Sequence, residues 1–204
     1  MSGLLQQLNG EMAGVVEKVR RSLVQISNGQ GAGAGTIWHP EGLIITNAHV
    51  IRHDQVNVIL PNDLKLPAKV LALDPERDLA ALSIEAGNLP TIDLGDSKQL
   101  QPGQLVLALG HPWGVAGAVS AGPVIKVGLP PELPRSFNEF VQAGLLLRPG
   151  HSGGPMVDVQ GRLVGINTMI TGPKVGLAVP VHVVKEFLRR HLGSKTSKAD
   201  TAYI

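Results

Sequence analysis

Apolar residues Leu5, Leu8, Met12, Val15, Val16 and Val19 recur at steps of three and four, with Gln6, Gln7, Glu11, Glu17, Lys18 and Arg20 between them. That period belongs to one face of an α-helix, so residues 1–22 are read as an amphipathic helix whose apolar face packs on its own protein. From Leu23 the period changes. Short apolar runs over 23–26, 36–38, 42–46, 56–60, 68–73, 79–84, 105–109, 124–127, 141–147 and 175–179 are bounded by Gly, Pro, Asn and Asp and predict strands. Met156-Val157-Asp158-Val159-Gln160-Gly161-Arg162-Leu163-Val164-Gly165-Ile166 reads as a hairpin turning at Gln160-Gly161. The glycine-rich residues 29–35 read as a turn, with Gly31-Ala32-Gly33-Ala34-Gly35 as its flexible loop. A dinucleotide loop is excluded there, because Thr36-Ile37-Trp38 predicts a strand where a helix is required. After Gly172-Pro173 and the last strand, Pro180 opens a helix with Val184, Leu188 and Leu192 four apart. Arg189, Arg190 and His191 close it and Gly193 stops it.

Many short strands without intervening helices point to an antiparallel all-β protein rather than βαβ units. For 204 residues, two six-stranded antiparallel β-barrels with an N-terminal and a C-terminal helix fit best. The first barrel is expected over 23–97 and the second, with the C-terminal helix, over 98–192. Gly95-Asp96-Ser97-Lys98-Gln99 is the expected crossing, and the polar residues 193–204 are a tail or linker.

Composition agrees with this and removes several functions. Gly 25 and Pro 15 are too many for a helical bundle. The net charge is +2 and no Lys/Arg run exceeds two residues, so nucleic acid is not an expected partner. With no cysteine, thiolate chemistry, disulfides and Cys-ligated zinc are excluded. His49 and His53 stand four apart, but Val50 occupies the place where a zinc protease needs Glu, so no metal or cofactor is expected. No apolar run approaches the roughly 20 residues of a membrane helix, and no signal peptide is recognisable. Read alone, that places the chain in the cytoplasm, or outside it if an export signal was removed.

Three segments carry chemistry. Arg148-Pro149-Gly150-His151-Ser152-Gly153-Gly154-Pro155 is a serine in a glycine-rich bend, where the amides of Gly150 and Ser152 can converge beside the hydroxyl as an oxyanion hole. Ile44-Ile45-Thr46-Asn47-Ala48-His49-Val50 supplies a base just past an apolar strand. Asp78, directly ahead of Leu79-Ala80-Ala81-Leu82, is placed to orient that histidine, with Asp74 as its competitor and an ion pair to Arg77 as the plainer role.

Thr46-Asn47-Ala48-His49, Asp78-Leu79-Ala80-Ala81-Leu82 and Gly150-His151-Ser152-Gly153-Gly154-Pro155, in that order, resemble the HtrA (DegP) branch of the trypsin-like serine proteases. Gly42-Leu43-Ile44-Ile45-Thr46, Leu109-Gly110-His111-Pro112-Trp113-Gly114, Gly165-Ile166-Asn167-Thr168 and Gly176-Leu177-Ala178-Val179-Pro180 extend the resemblance over residues 23–192. It implies a serine endopeptidase cleaving polypeptides, unfolded or damaged proteins among them, through an acyl-enzyme. Ser152 is the nucleophile, His49 the base and Asp78 its orienter, with Gly150, His151 and Ser152 at the oxyanion hole. The resemblance also implies a substrate pocket lined by Leu146, Ile166, Asn167, Val175, Gly176 and Leu177. None of these is acidic, which favours a small aliphatic P1 residue.

The family further implies a trimer built through the N-terminal segment, although no aromatic residue precedes Trp38, and an extracytoplasmic location. Its usual PDZ domain is not among these residues, implying either a member without one or the protease part of a longer chain. Two departures stand out: His151 replaces the usual Asn before the serine, and Ala143-Gly144 replaces the usual Thr-Asp. They motivate a second reading, a protease-fold binding or chaperone-like protein whose oxyanion hole is collapsed at rest.

Overall fold

In the computed structural model, residues 2–27, 32–53, 55–130, 139–171 and 174–193 are described. The expected turn at 29–31, the Gly172-Pro173 punctuation and the tail at 194–204 lie outside them. Helix α1 (Ser2–Arg20) leads into β1 (Leu23–Ser27), β2 (Ala32–His39), β3 (Leu43–Thr46), β4 (Val56–Ile59), β5 (Lys65–Asp74) and β6 (Leu79–Ile84). These close into a barrel in the order β1-β2-β3-β6-β5-β4. The next six, β7 (Leu105–Gly110), β8 (Ala118–Gly128), β9 (Phe140–Ala143), β10 (Pro155–Asp158), β11 (Leu163–Thr171) and β12 (Val175–Pro180), close a second barrel, β10-β11-β12-β9-β8-β7. Read from the first strand of each, the two barrels share one connectivity. Helix α2 (Val181–Leu192) follows. Among the described residues no helix is long and apolar enough to cross a membrane.

Each barrel fills its own interior, with Val24, Ile26, Ile37, Ile44 and Leu82 in the first and Val106, Ala108, Val141, Met156 and Val164 in the second. The alternate residues of the same strands, Leu23, Leu43, Ile45, Leu79 and Ala81, face the other way and join Leu107, Leu109, Leu163 and Ile166 in a third cluster between the barrels. Strands buried on both faces read as unbroken apolar runs, which is why β3 and β6 show no polar alternation. Phe187 and Leu188 of α2 belong to the same seam, and α2 packs on β5 and β6 of one barrel and on β11 and β12 of the other.

Three expectations are corrected. Residues 32–35 form strand rather than loop, pairing with β1 through Ile26↔Gly33 and Val24↔Gly35. Glycine is needed there for close approach: a Cβ on Gly33 would lie 2.6 Å from Val50 Cγ1, and one on Gly35 2.9 Å from Ile44 Cγ2. Strand β8 is far longer than 124–127, because Gly122-Pro123 marks a change of partner, from β7 to β9, rather than a turn. The strand expected over 141–147 stops at Ala143, and Leu145 and Leu147 reach the second barrel's core from the loop that follows. Helix α1 begins at Ser2, and Leu4, Leu5 and Leu8 on its first half are exposed, whereas Met12, Val15, Val16 and Val19 pack on the seam.

Phe187 is 1% exposed at the point where both barrels meet α2. Phe187→Ala is expected to cost about 3–5 kcal/mol, through lost apolar burial and the cavity left behind, read as a fall in the urea midpoint at unchanged slope.

Candidate active site

Strands β3 and β6 are antiparallel neighbours with Thr46 opposite Ala80, so the end of one and the start of the other lie side by side. His49 follows β3 in a single 3-10 turn and Asp78 immediately precedes β6. Asp78 has φ +53, a left-handed conformation that costs a non-glycine residue about 1–3 kcal/mol. The Asn47 side-chain amide donates to its carbonyl at 2.9 Å and braces it there. Its carboxylate lies 2.9 and 2.8 Å from His49 Nδ1 and also accepts the His49 backbone N–H at 3.1 Å. A carboxylate only accepts, so Nδ1 carries the ring proton and Nε2 keeps a free lone pair. Asp74, the competing carboxylate, is engaged elsewhere. Burial alone would raise its pKa, but the Arg77 guanidinium at 2.8 Å, the Arg77 amide and nearby His191 hold it below its ordinary 3.8.

Ser152 comes from the second barrel, in the bend ahead of β10. Residues 148–151 form a turn closed by His151 N–H donating to the Arg148 carbonyl at 2.9 Å, with Pro149 second and Gly150 third at φ +103. Proline then glycine is the chemistry of a type II turn, and only glycine takes the third position without strain. Three successive carbonyls are then bonded from other amides: Gly150 O by His111 N–H at 2.8 Å, His151 O by Gly154 N–H at 2.9 Å and Ser152 O by Ala34 N–H at 2.8 Å. With those carbonyls held away, the Gly150 and Ser152 amides have no acceptor among the described residues. The His151 amide, expected beside them, is consumed in closing the turn.

The sequence pattern marks Thr168 only as the last residue of Gly165-Ile166-Asn167-Thr168 and gives it no role. Its hydroxyl donates to Asp78 Oδ2 in a short hydrogen bond, and its carbonyl accepts the Ser152 hydroxyl at 3.1 Å. One residue of β11 therefore touches both the carboxylate from the first barrel and the serine from the second.

Residues 33–166 match the family described as a trypsin-like peptidase domain. The chain belongs to the trypsin-like peptidase family. Within that family it is an HtrA/DegP-like protease domain. It is 40% identical over 165 residues to the "Probable periplasmic serine endoprotease DegP-like" of Pseudomonas fulva (strain 12-X), covering 77% of this chain and 34% of that protein. A protein of the same name from Chlamydia pneumoniae is 34% identical over 154 residues, with 72% of this chain and 32% of the relative covered. The solved structure of the HtrA-type protease AlgW with a tripeptide superposes with a TM-score of 0.85 at 30% identity, covering 91% of this chain and 64% of that one. The chain spans about a third of the length of these two curated relatives.

The cleft of this peptidase domain holds about 740 Å³ and is lined around Ser152 by Leu147, Thr168, Met169 and Ile170. The six residues expected to wall a pocket are not among its lining. Ile166, Asn167 and Leu177 are fully buried, and the Asn167 amide donates to the Leu109 and Pro155 carbonyls. Gly176 packs on Leu145, Val175 lies against the seam cluster, and the Leu146 amide is bonded to Ser120 Oγ. Leu147 and Thr168 are each one residue beyond an expected position, and one step along extended chain turns a side chain to the opposite face.

Behind the turn, His151 is 3% exposed, and neither its Nε2 nor that of His111 has a partner. Burial lowers both pKa values from the usual 6.5. A ring hydrogen bond from His111 to the Val24 backbone and one from His151 to the Arg148 backbone oppose this, whereas the charges of Arg20 and Arg148 add to it. A histidine with a depressed folded pKa contributes stability that is present above 6.5 and lost as pH falls toward the folded value, because the unfolded chain takes up the proton first. The urea midpoint is therefore expected to fall from neutral to mildly acid buffer, and His151→Asn is expected to make that fall smaller. An equal fall in both proteins would remove His151 as a contributor.

Proposed function

We propose that this domain is a serine endopeptidase acting through an acyl-enzyme, with Ser152 as nucleophile, His49 as general base and Asp78 as the group that fixes the imidazole. The observation that carries the reading is the joint geometry: His49 Nδ1 held by Asp78, Ser152 in the facing turn, and two free amides beside the hydroxyl. Ser152 Oγ attacks the substrate carbonyl carbon as its proton passes to His49 Nε2, and the carbonyl oxygen becomes an oxyanion between the Gly150 and Ser152 amides. Collapse of that intermediate breaks the C–N bond, with His49 returning the proton to the leaving amine. Water, deprotonated by the same imidazole, then releases the acyl group.

An extended polypeptide suits the cleft. Beyond Asn167, β11 pairs with β12 through Met169↔Leu177 and Ile170↔Gly176, whereas its β10 ladder begins at Pro155↔Ile166, so that among the described residues no strand pairs with the other edge of residues 168–170. A substrate strand can add there through its main chain. Leu147 and Met169 beside Ser152, with no carboxylate among the described residues of the cleft lining, support a small aliphatic P1 residue such as Val, Ala or Leu.

One observation favours the second reading, a site at rest that binds without cutting. The Ser152 hydroxyl has one proton, and it is donated to the Thr168 carbonyl rather than to His49. Labelling with a fluorophosphonate separates the two, since rapid modification requires an activated serine and a formed oxyanion hole.

Ser152→Ala is expected to abolish casein cleavage and leave the free energy of urea unfolding within about 0.5 kcal/mol of the parent; activity within tenfold of the parent would sink the assignment. Thr168→Val removes one hydrogen bond to a charged carboxylate and is expected to lower kcat about tenfold to a hundredfold with little change in KM.

A further inference from the structure

We infer that the cleft selects polypeptides carrying a carboxylate within a few residues of the scissile bond, received by Arg148 and Arg52; this rests on the reading of Ser152 as nucleophile. Both arginines line the cleft that holds Ser152 and His49, and among the described residues no Asp or Glu lines it. Arg148 and Arg52 have no carboxylate within 4 Å among the described residues; the same holds for Arg21, Arg189 and Arg190, but those three lie outside the cleft, whereas Arg20, Arg77 and Arg162 are each paired.

Arg148 is held in place by something other than an acid. Its guanidinium carbon lies 4.7 Å from the centre of the Trp113 ring, which is 71% exposed. Such stacking fixes the plane of the guanidinium without using its N–H donors, leaving the fork open for a carboxylate. Both partners are fastened to the turn beside Ser152. Arg148 is the turn's first residue, and its carbonyl closes it. Trp113, at φ +52, lies two residues after His111, whose amide holds the Gly150 carbonyl. The stacked cation therefore lines the same cleft as Gly150 and Ser152. Arg52, three residues after His49, brings a second positive charge from the first barrel. A lysine or arginine in a bound chain would meet two like charges, whereas a glutamate would find a pre-oriented partner.

The carboxylate can come from an Asp or Glu side chain or from a substrate's free C-terminus. Amide-capped peptides with Val at P1, varied one position at a time to Glu, Gln or Lys on either side of the cut, test the first source. The same Gln peptides with a free C-terminal carboxylate test the second. The readout is the ratio of kcat/KM for the charged and neutral members within one enzyme, which cancels any overall change in rate. Glu over Gln, or free acid over amide, is expected at about five- to tenfold for at least one position, with Lys below Gln and the ratio shrinking as salt is raised. Arg148→Met, which keeps the apolar stem, or Arg52→Met is expected to collapse that ratio toward one. Ratios at or below one throughout the parent would overturn the proposal while cleavage of the Gln peptides upheld the peptidase, and a preference unchanged in both variants would overturn the assignment to these arginines. If no peptide is cleaved and the fluorophosphonate does not react, the peptidase reading fails and the proposal falls with it.

Discussion

Two closed barrels each pair their own strands and fill their own interior, and the alternate faces of those strands are buried only where one barrel meets the other. Everything chemical in this molecule depends on the seam that fixes one against the other. The main-chain bond from Ala34 N–H to the Ser152 carbonyl crosses that seam at the candidate nucleophile itself. Gly153 lies so close to the Ala34 carbonyl and Thr46 Oγ1 that a Cβ would come within 2.1 Å of both. Thr46 in turn donates to the Ala34 carbonyl, so the strand that receives the serine turn is braced by the strand that leads to His49. A shift of about 1 Å at such a contact is enough to disable two groups that must meet.

The sequence was most legible where burial and chemistry agreed. Strands β3 and β6 are doubly buried and could be read as apolar runs, and His49 and Asp78 stand at the ends where those runs stop. It was least legible where glycine and proline serve packing instead of turning. Gly33 and Gly35 make room for Val50 and Ile44 inside a strand, and Pro123 sits where β8 exchanges one partner for another. The cleft wall is hard to read from sequence for a different reason. Extended chain alternates faces, and Leu146 against Leu147, or Asn167 against Thr168, is a choice of face that an apolar pattern cannot make once both sides of a strand are buried.

His151 is one of the two departures that the family resemblance implies, and its surroundings explain how the turn accommodates it. The imidazole points inward, with Nδ1 3.2 Å from both the amide nitrogen and the carbonyl oxygen of Arg148, so one ring position faces both ends of a single residue's main chain. The backbone, through the His151 amide and Gly150, shapes the surface toward Ser152. The unusual side chain is thus spent on supporting the turn from behind rather than on entering the cleft.

Thr168 gives the site a form of self-reference. Its carbonyl sits on the open edge of β11 and also holds the Ser152 hydroxyl. In the proposed chemistry, a chain laid along that edge offers its own amide to the same oxygen and weakens the hold on the serine proton, which is then free to turn toward His49. One carbonyl oxygen thus stands between the open edge and the serine hydroxyl, so the two share a single acceptor.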